Sequence, residues 1–110
     1  MIIIITLQQA KLDDPIEKRF GRSPYFLKVD TKTNQWEAFE NPGVGQSGGA
    51  GVMAAQFVID QKVEAVISGD FGPNAEKALQ ASGIKMVRFP EDVKTGSDVL
   101  QRIQEGRLLN

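Results

Sequence analysis

Apolar and polar positions divide the chain into segments of two different periods. Residues 2–7 form a run of isoleucines closed by Thr6 and Leu7. An apolar β-branched run without alternation predicts a strand covered on both faces, in the middle of a sheet. Residues 8–23 follow as a polar connection containing Asp13-Asp14-Pro15 and then Lys18-Arg19-Phe20-Gly21-Arg22. Residues 25–30 and 35–40 alternate as strands do, and the polar link Thr31-Lys32-Thr33-Asn34 joins them as an antiparallel hairpin.

The period changes after residue 51. Val52, Ala55, Val58 and Ile59 recur at helical spacing, with Gln56, Asp60 and Gln61 on the polar side. This predicts a helix over 52–62 packed on the sheet, with Met53 and Met86 as core residues. Residues 63–68 then predict a buried strand, and Gly69-Asp70-Phe71-Gly72-Pro73 turns the chain into a helix running from Pro73 to about Ser82. Proline suits the first helical turn and Gly83 the left-handed cap after the last. Residues 84–89 predict a further strand, stopped by Pro90, and Thr95-Gly96-Ser97-Asp98 resembles a capping box ahead of Val99, Leu100 and Ile103, with Gly106 ending that helix. The order β-β-β-α-β-α-β-α predicts an α/β fold with a mixed five-stranded sheet, antiparallel at its start and parallel with right-handed crossovers in its second half. That is the order of ribonuclease H-like folds.

Composition narrows the chemistry. A chain of 110 residues fits one domain, residues 1–110, with a core that needs neither metal nor disulfide. With 41% apolar and 25% charged residues and a net charge of -1, it has the balance of a soluble globular protein, without the basic face of a nucleic-acid binder. There is no cysteine and no histidine. Thiolate or imidazole ligation of a metal and histidine-dependent nucleophilic catalysis are therefore excluded. The apolar start is too short for a membrane or signal segment and lacks a basic flank, so a cytoplasmic location without membrane contact is expected.

The candidate site is the glycine loop 41–51, Asn41-Pro42-Gly43-Val44-Gly45-Gln46-Ser47-Gly48-Gly49-Ala50-Gly51. It leads from a predicted strand into a predicted helix, whose unpaired N–H groups and dipole favour an anion, and its glycines leave those groups accessible. Gly43 to Gly48 also satisfy G-x-G-x-x-G with Asp70 downstream, but Asn41-Pro42 separates them from the strand and that strand belongs to a hairpin, unlike a dinucleotide fingerprint. The plain alternative is a permissive loop without a ligand. Lys18, Arg19 and Arg22 would add charge-assisted hydrogen bonds to an anion, or else pair with Asp13, Asp14 or Glu17. Those three acids suit a solvated turn better than a hard-cation site, and the acid-free central strand argues against a two-metal nuclease. Gly69, Asp70, Gly72 and Asn74 form a second strand-to-helix turn, expected on the same sheet edge as the loop.

Phe20-Gly21-Arg22-Ser23-Pro24-Tyr25-Phe26, Asn41-Pro42 with the glycine loop, residues 69–73, and Ala81-Ser82-Gly83-Ile84-Lys85 together resemble the dinitrogenase iron–molybdenum cofactor-binding family. This family comprises small domains related to nitrogenase cofactor carriers, and includes a protein that holds a molybdenum–copper sulfide cluster without covalent ligation. The resemblance implies a ribonuclease H-like fold and non-catalytic, noncovalent carriage of a molybdenum/iron or molybdenum/copper sulfide cluster, with a cluster donor, acceptor or assembly protein as partner. Many members have histidine before F-G-R and within the loop, where this chain has Arg19, Gln46 and Ser47. The expected cluster contacts are therefore the backbone at Gly43, Gly45, Gly48, Gly49 and Gly51, the polar groups of Asn41, Gln46 and Ser47, the cations Arg19 and Arg22, and the opposite rim from Gly69 to Asn74. The alternative is a regulatory or assembly module that acts through protein contacts after losing its cluster ligands.

Overall fold

In the computed structural model, which describes residues 1–109, the chain forms β1 (Ile2–Leu7), a 3-10 turn (Phe20–Arg22), β2 (Tyr25–Asp30), β3 (Trp36–Glu40), α1 (Ala50–Asp60), β4 (Ala65–Ser68), α2 (Pro73–Ala81), β5 (Lys85–Arg88) and α3 (Gly96–Gln104). The strands make one five-stranded sheet in the order β3-β2-β1-β4-β5. The isoleucine run is its central strand, antiparallel to β2 and parallel to β4. β2 and β3 form the expected hairpin, and β5 adds in parallel to β4. This is the expected ribonuclease H-like mixed sheet.

Alternation along β1 sends its side chains to opposite layers. Ile4 joins Phe26 and Val66 beneath α1 and α2, where Phe20, Phe71, Val58 and Leu79 complete the layer. Ile3, Ile5 and Leu7 join Leu27, Val29 and Ile67 beneath Val99 and Leu100 of α3. Each such side chain contributes roughly 1.5–3 kcal/mol of transfer free energy on full burial, which is why the unbroken isoleucine run occupies the doubly covered position. α3 starts with the expected capping box: Thr95 Oγ1 accepts from Asp98 N (3.1 Å), and the Asp98 carboxylate accepts from Thr95 N (3.1 Å).

The structure departs from the hydrophobic pattern at two places. α1 starts at Ala50, and Val52 and Met53 on its first turn are 48% and 40% exposed, so neither is core. Its buried face is Ala54, Ala55 and Val58 instead. α1 packs on α2 and on the 3-10 turn with little space between backbones: a β carbon on Gly21 would lie 3.4 Å from Gly51 Cα, and one on Gly51 would lie 3.6 Å from Ala75 Cβ. Such close packing selects small residues and turns the larger ones outward. The second departure is residues 8–23, which fold back on the sheet edge: Gln8 N donates to Pro15 O (2.9 Å) and Glu17 N to Thr6 O (2.9 Å). Phe20 from this polar segment is wholly buried.

Candidate functional site

The carboxyl ends of β1 and β4 lie side by side, closed by two buried hydroxyls. Thr6 Oγ1 donates to the Glu17 carbonyl (2.6 Å) and shares a hydrogen bond with Ser68 Oγ (2.8 Å). Beyond Ser68 the chain is stitched to the polar segment. Gly69 N and Asp70 N both donate to Lys18 O (3.0 and 2.6 Å), and Phe20 N donates to Asp70 O (2.9 Å). A β carbon at Gly69 would lie 2.6 Å from Lys18 O, so this approach needs glycine. Arg19 and Asp70 are thereby made neighbours in a parallel bridge. Phe20 stacks on Phe26 with ring centroids 5.3 Å apart and meets Phe71 at 5.5 Å. This buried aromatic anchors the turn that carries Arg19 and Arg22.

Two helices start at the same edge. Gly49 (φ 74°) caps α1 and Gly72 (φ 78°) caps α2, both in backbone conformations that favour glycine, and neither supplies a side-chain cap. The first amide of each N-terminus to find a main-chain acceptor is Met53 N, to Gly49 O (2.9 Å), and Glu76 N, to Gly72 O (3.0 Å). Ala50, Gly51, Val52, Asn74 and Ala75 therefore keep N–H groups without a partner among the described residues, as helix first turns do when no side chain caps them.

These groups border one open cleft of about 350 Å³, lined by Arg19, Gly21 and Arg22, by Gly49, Ala50 and Gly51, and by residues 70–75. Its volume is at the low end for small-molecule sites, roughly 300–1,000 Å³. Glu17, 9% exposed, accepts from both Arg19 N (3.1 Å) and Arg19 Nε (3.2 Å) through Oε2, so it fixes the arginine at its base. Arg22 has no ion-pair partner among the described residues. Asp70 Oδ1 accepts from Gly72 N (3.2 Å), an Asx turn that sets the carboxylate on the rim. The donors available are amides and guanidinium groups. They suit an anion and offer no imidazole or thiolate to a bare metal.

Of the residues expected at the site, Arg19, Arg22, Gly49, Gly51, Asp70, Gly72 and Asn74 line this cleft. Asn41, Gly43, Gly45, Gln46, Ser47, Gly48 and Gly69 do not. Asn41 is a buried brace whose Oδ1 accepts from Gly43 N (2.8 Å) and whose Nδ2 donates to Gly21 O (3.3 Å). A β carbon on Gly43 would lie 2.5 Å from Ala50 O, so Gly43 serves packing. Gly45, Gln46, Ser47 and Gly48 make an exposed arc of the loop. Glu17 was expected only as a pairing partner for the nearby cations, which it is for Arg19, and Phe71 only as part of the rim ending at Asn74. Sequence reasoning missed Gly21, signalled by its place between Phe20 and Arg22, and Ala50 and Ala75, which tertiary contact alone brings to the cleft. Asp13 meets Ser97, and Asp14 accepts from Lys11 N (2.9 Å). Among the described residues no three acids gather into a cation site.

The family model described as dinitrogenase iron-molybdenum cofactor matches residues 1–106. The apo form of the orange protein from Desulfovibrio gigas is similar in structure, with 34% identity, a TM-score of 0.89, and coverage of 97% of this chain and 89% of that one. A Thermotoga protein of the DUF35 family, provisionally named NifB, has 29% identity and a TM-score of 0.81 over 97% of this chain and 90% of its own. No curated protein matches significantly.

Proposed function

The chain belongs to the dinitrogenase iron-molybdenum cofactor family, and on that premise we propose that it carries an anionic metal–sulfide cluster noncovalently and without turnover. The cargo is a molybdenum/iron or molybdenum/copper sulfide cluster. The observation that supports this most is the convergence of two uncapped helix N-termini and two arginines on one cleft, in a chain with no histidine or cysteine. Sulfides carry the negative charge of such a cluster on its outside, so amides and guanidinium groups meet it without displacing its metals. Ala50, Gly51, Asn74 and Ala75 would donate from the backbone, and Arg22 and Arg19 would supply charge. The exposed arc Gly45, Gln46, Ser47 and Gly48 would meet the cargo from the loop side, with Asn41, Gly43 and Gly69 as framework.

The test is an anaerobic titration of isotope-labelled protein with a preformed molybdenum–sulfide cluster, followed by metal analysis after desalting. Amide shifts centred on residues 49–52 and 70–75, with metal retained stoichiometrically and lost in Arg22→Gln, are expected. Absence of both shifts and metal would sink the reading.

A second reading, a regulatory or assembly module acting through protein contacts, draws on Val44, Val52 and Met53, which are exposed apolar side chains on the loop and the first turn of α1. A donor or acceptor of the cargo would contact the same surface. Complex formation that survives loss of cluster binding in Arg22→Gln would favour this module over a carrier.

A further inference from the structure

We infer that Asp70 is a specificity-determining residue of the cleft, one that excludes compact, strongly hydrated oxoanions from a site otherwise built for negative charge. This rests on the reading of the cleft as an anion site and adds what that site rejects. Asp70 is an exposed carboxylate lining the same cleft as the helix-terminal amides. Its backbone is clamped on both sides, N–H to Lys18 O and carbonyl to Phe20 N, and its Oδ1 is held by Gly72 N. Only Oδ2 lacks a partner among the described residues. Neither Arg19 nor Arg22 forms an ion pair with Asp70, and Arg19 is shared with Glu17. Glu17 offsets Arg19 from behind the cleft and Asp70 adds a carboxylate on its rim, so the attraction for anions rests on the backbone dipoles together with Arg22, and a large excess of positive charge is absent.

That balance discriminates by charge density. Capturing a small oxoanion removes a tightly held hydration shell, a cost that amides beside a fixed carboxylate repay poorly. A sulfide anion is larger and softer, and it spreads the same charge over more surface, so it feels a neighbouring carboxylate less strongly. An attractive set of donors combined with one repulsive group is how a site separates similar ligands. Ordinary oxoanions present in excess would otherwise occupy two uncapped helix N-termini.

Asp70→Asn tests this, because an asparagine Oδ1 still accepts from Gly72 N while the charge is lost and Oδ2 gives way to an NH2 donor. Asp70→Ala, which removes the charge without adding a donor, must also gain molybdate affinity if the charge is the filter. The probes are molybdate and tetrathiomolybdate, tetrahedral dianions of the same metal, titrated by calorimetry under anaerobic conditions. Wild-type protein is expected to bind tetrathiomolybdate and to bind molybdate weakly or not at all. Asp70→Asn is expected to gain about tenfold or more in molybdate affinity, with a smaller gain for tetrathiomolybdate. Asp70→Glu, which keeps the charge, is expected to keep the discrimination. An unchanged molybdate affinity in Asp70→Asn, at an unchanged melting temperature, overturns the inference whatever the wild type binds. Failure of wild-type protein to bind tetrathiomolybdate, with molybdate binding gained in Asp70→Asn, would instead retain Asp70 as the filter and remove the sulfide cargo.

Discussion

Gly69→Ala tests the contact that assembles the cleft. The added carbon would lie 2.6 Å from Lys18 O and 3.0 Å from Lys18 Cα and Cβ, well inside the ~3.5–4.0 Å optimum for carbon contacts. Relief requires residues 18–20 to move outward, which stretches the bonds from Gly69 N (3.0 Å) and Asp70 N (2.6 Å) to Lys18 O and from Phe20 N to Asp70 O (2.9 Å). Overpacking costs about 1–3 kcal/mol and one weakened hydrogen bond about 1 kcal/mol, offset in part by the ~0.4–1 kcal/mol that alanine contributes by stiffening the unfolded chain. The expected net loss is about 2–3 kcal/mol, a fall in melting temperature of roughly 10–15 °C. Urea denaturation with an unchanged m-value measures it. Gly48→Ala is the control: nothing lies within 4 Å of its added carbon, and the change should stay within about 0.5 kcal/mol. If Gly69→Ala unfolds at the same urea concentration as Gly48→Ala, the stitch between the polar segment and the sheet edge is not what holds the cleft together.

The remaining predictions concern the parts that support the site. Phe20→Ala empties a wholly buried position between Phe26 and Phe71 and should cost about 3–5 kcal/mol in chemical denaturation, with amide shifts spreading to Arg19 and Arg22. Thr95→Ala removes the acceptor for Asp98 N at the start of α3 and should cost about 1 kcal/mol, read as a melting temperature lower by roughly 5 °C while the cleft amides stay in place. Hydrogen bonds from Lys94 N and then Thr95 N hold the Asp98 carboxyl below its ordinary value of 3.8. The unfolded state therefore binds a proton there before the folded state does; stability is fully present above about pH 4 and falls as the pH drops through the lower folded value. Acid titration of stability should show that loss, and Asp98→Asn should flatten it.

The layers of the fold were legible because they follow from local pattern. The isoleucine run, the hairpin, both crossover helices and the Thr95–Asp98 box all lie where periodicity and capping put them, with bounds shifted by a residue or two where Val63 and Ile84 are buried outside the strand pairing. The site was half legible. Glycines marked the loop, but composition does not separate a glycine that admits a ligand from one that admits another backbone, which is how Gly43 and Gly69 came to be grouped with Gly49 and Gly51. Val52 and Met53 were assigned to the core because helical spacing says which residues share a face, and the facing α2 then decided which face fits. The return of residues 15–20 to the sheet edge depends on partners far away in the chain, such as Thr6, Asp70 and Lys94, and no local signal encodes it.

The walls of the cleft come from separated parts of the chain, residues 19–22 on one side and residues 49–51 and 70–75 on the other, joined through the parallel pairing of β1 with β4. No short contiguous fragment carries both walls, so the site matures only once β4 has docked beside β1, after synthesis has passed residue 75. Cargo that binds only this assembled state stabilises the whole domain by mass action, about 2.7 kcal/mol at a hundredfold excess over the dissociation constant. Loading would then be visible as slower proteolysis throughout the chain, including α3 on the far side of the sheet, and the half-life of the protein in a cell would report its occupancy.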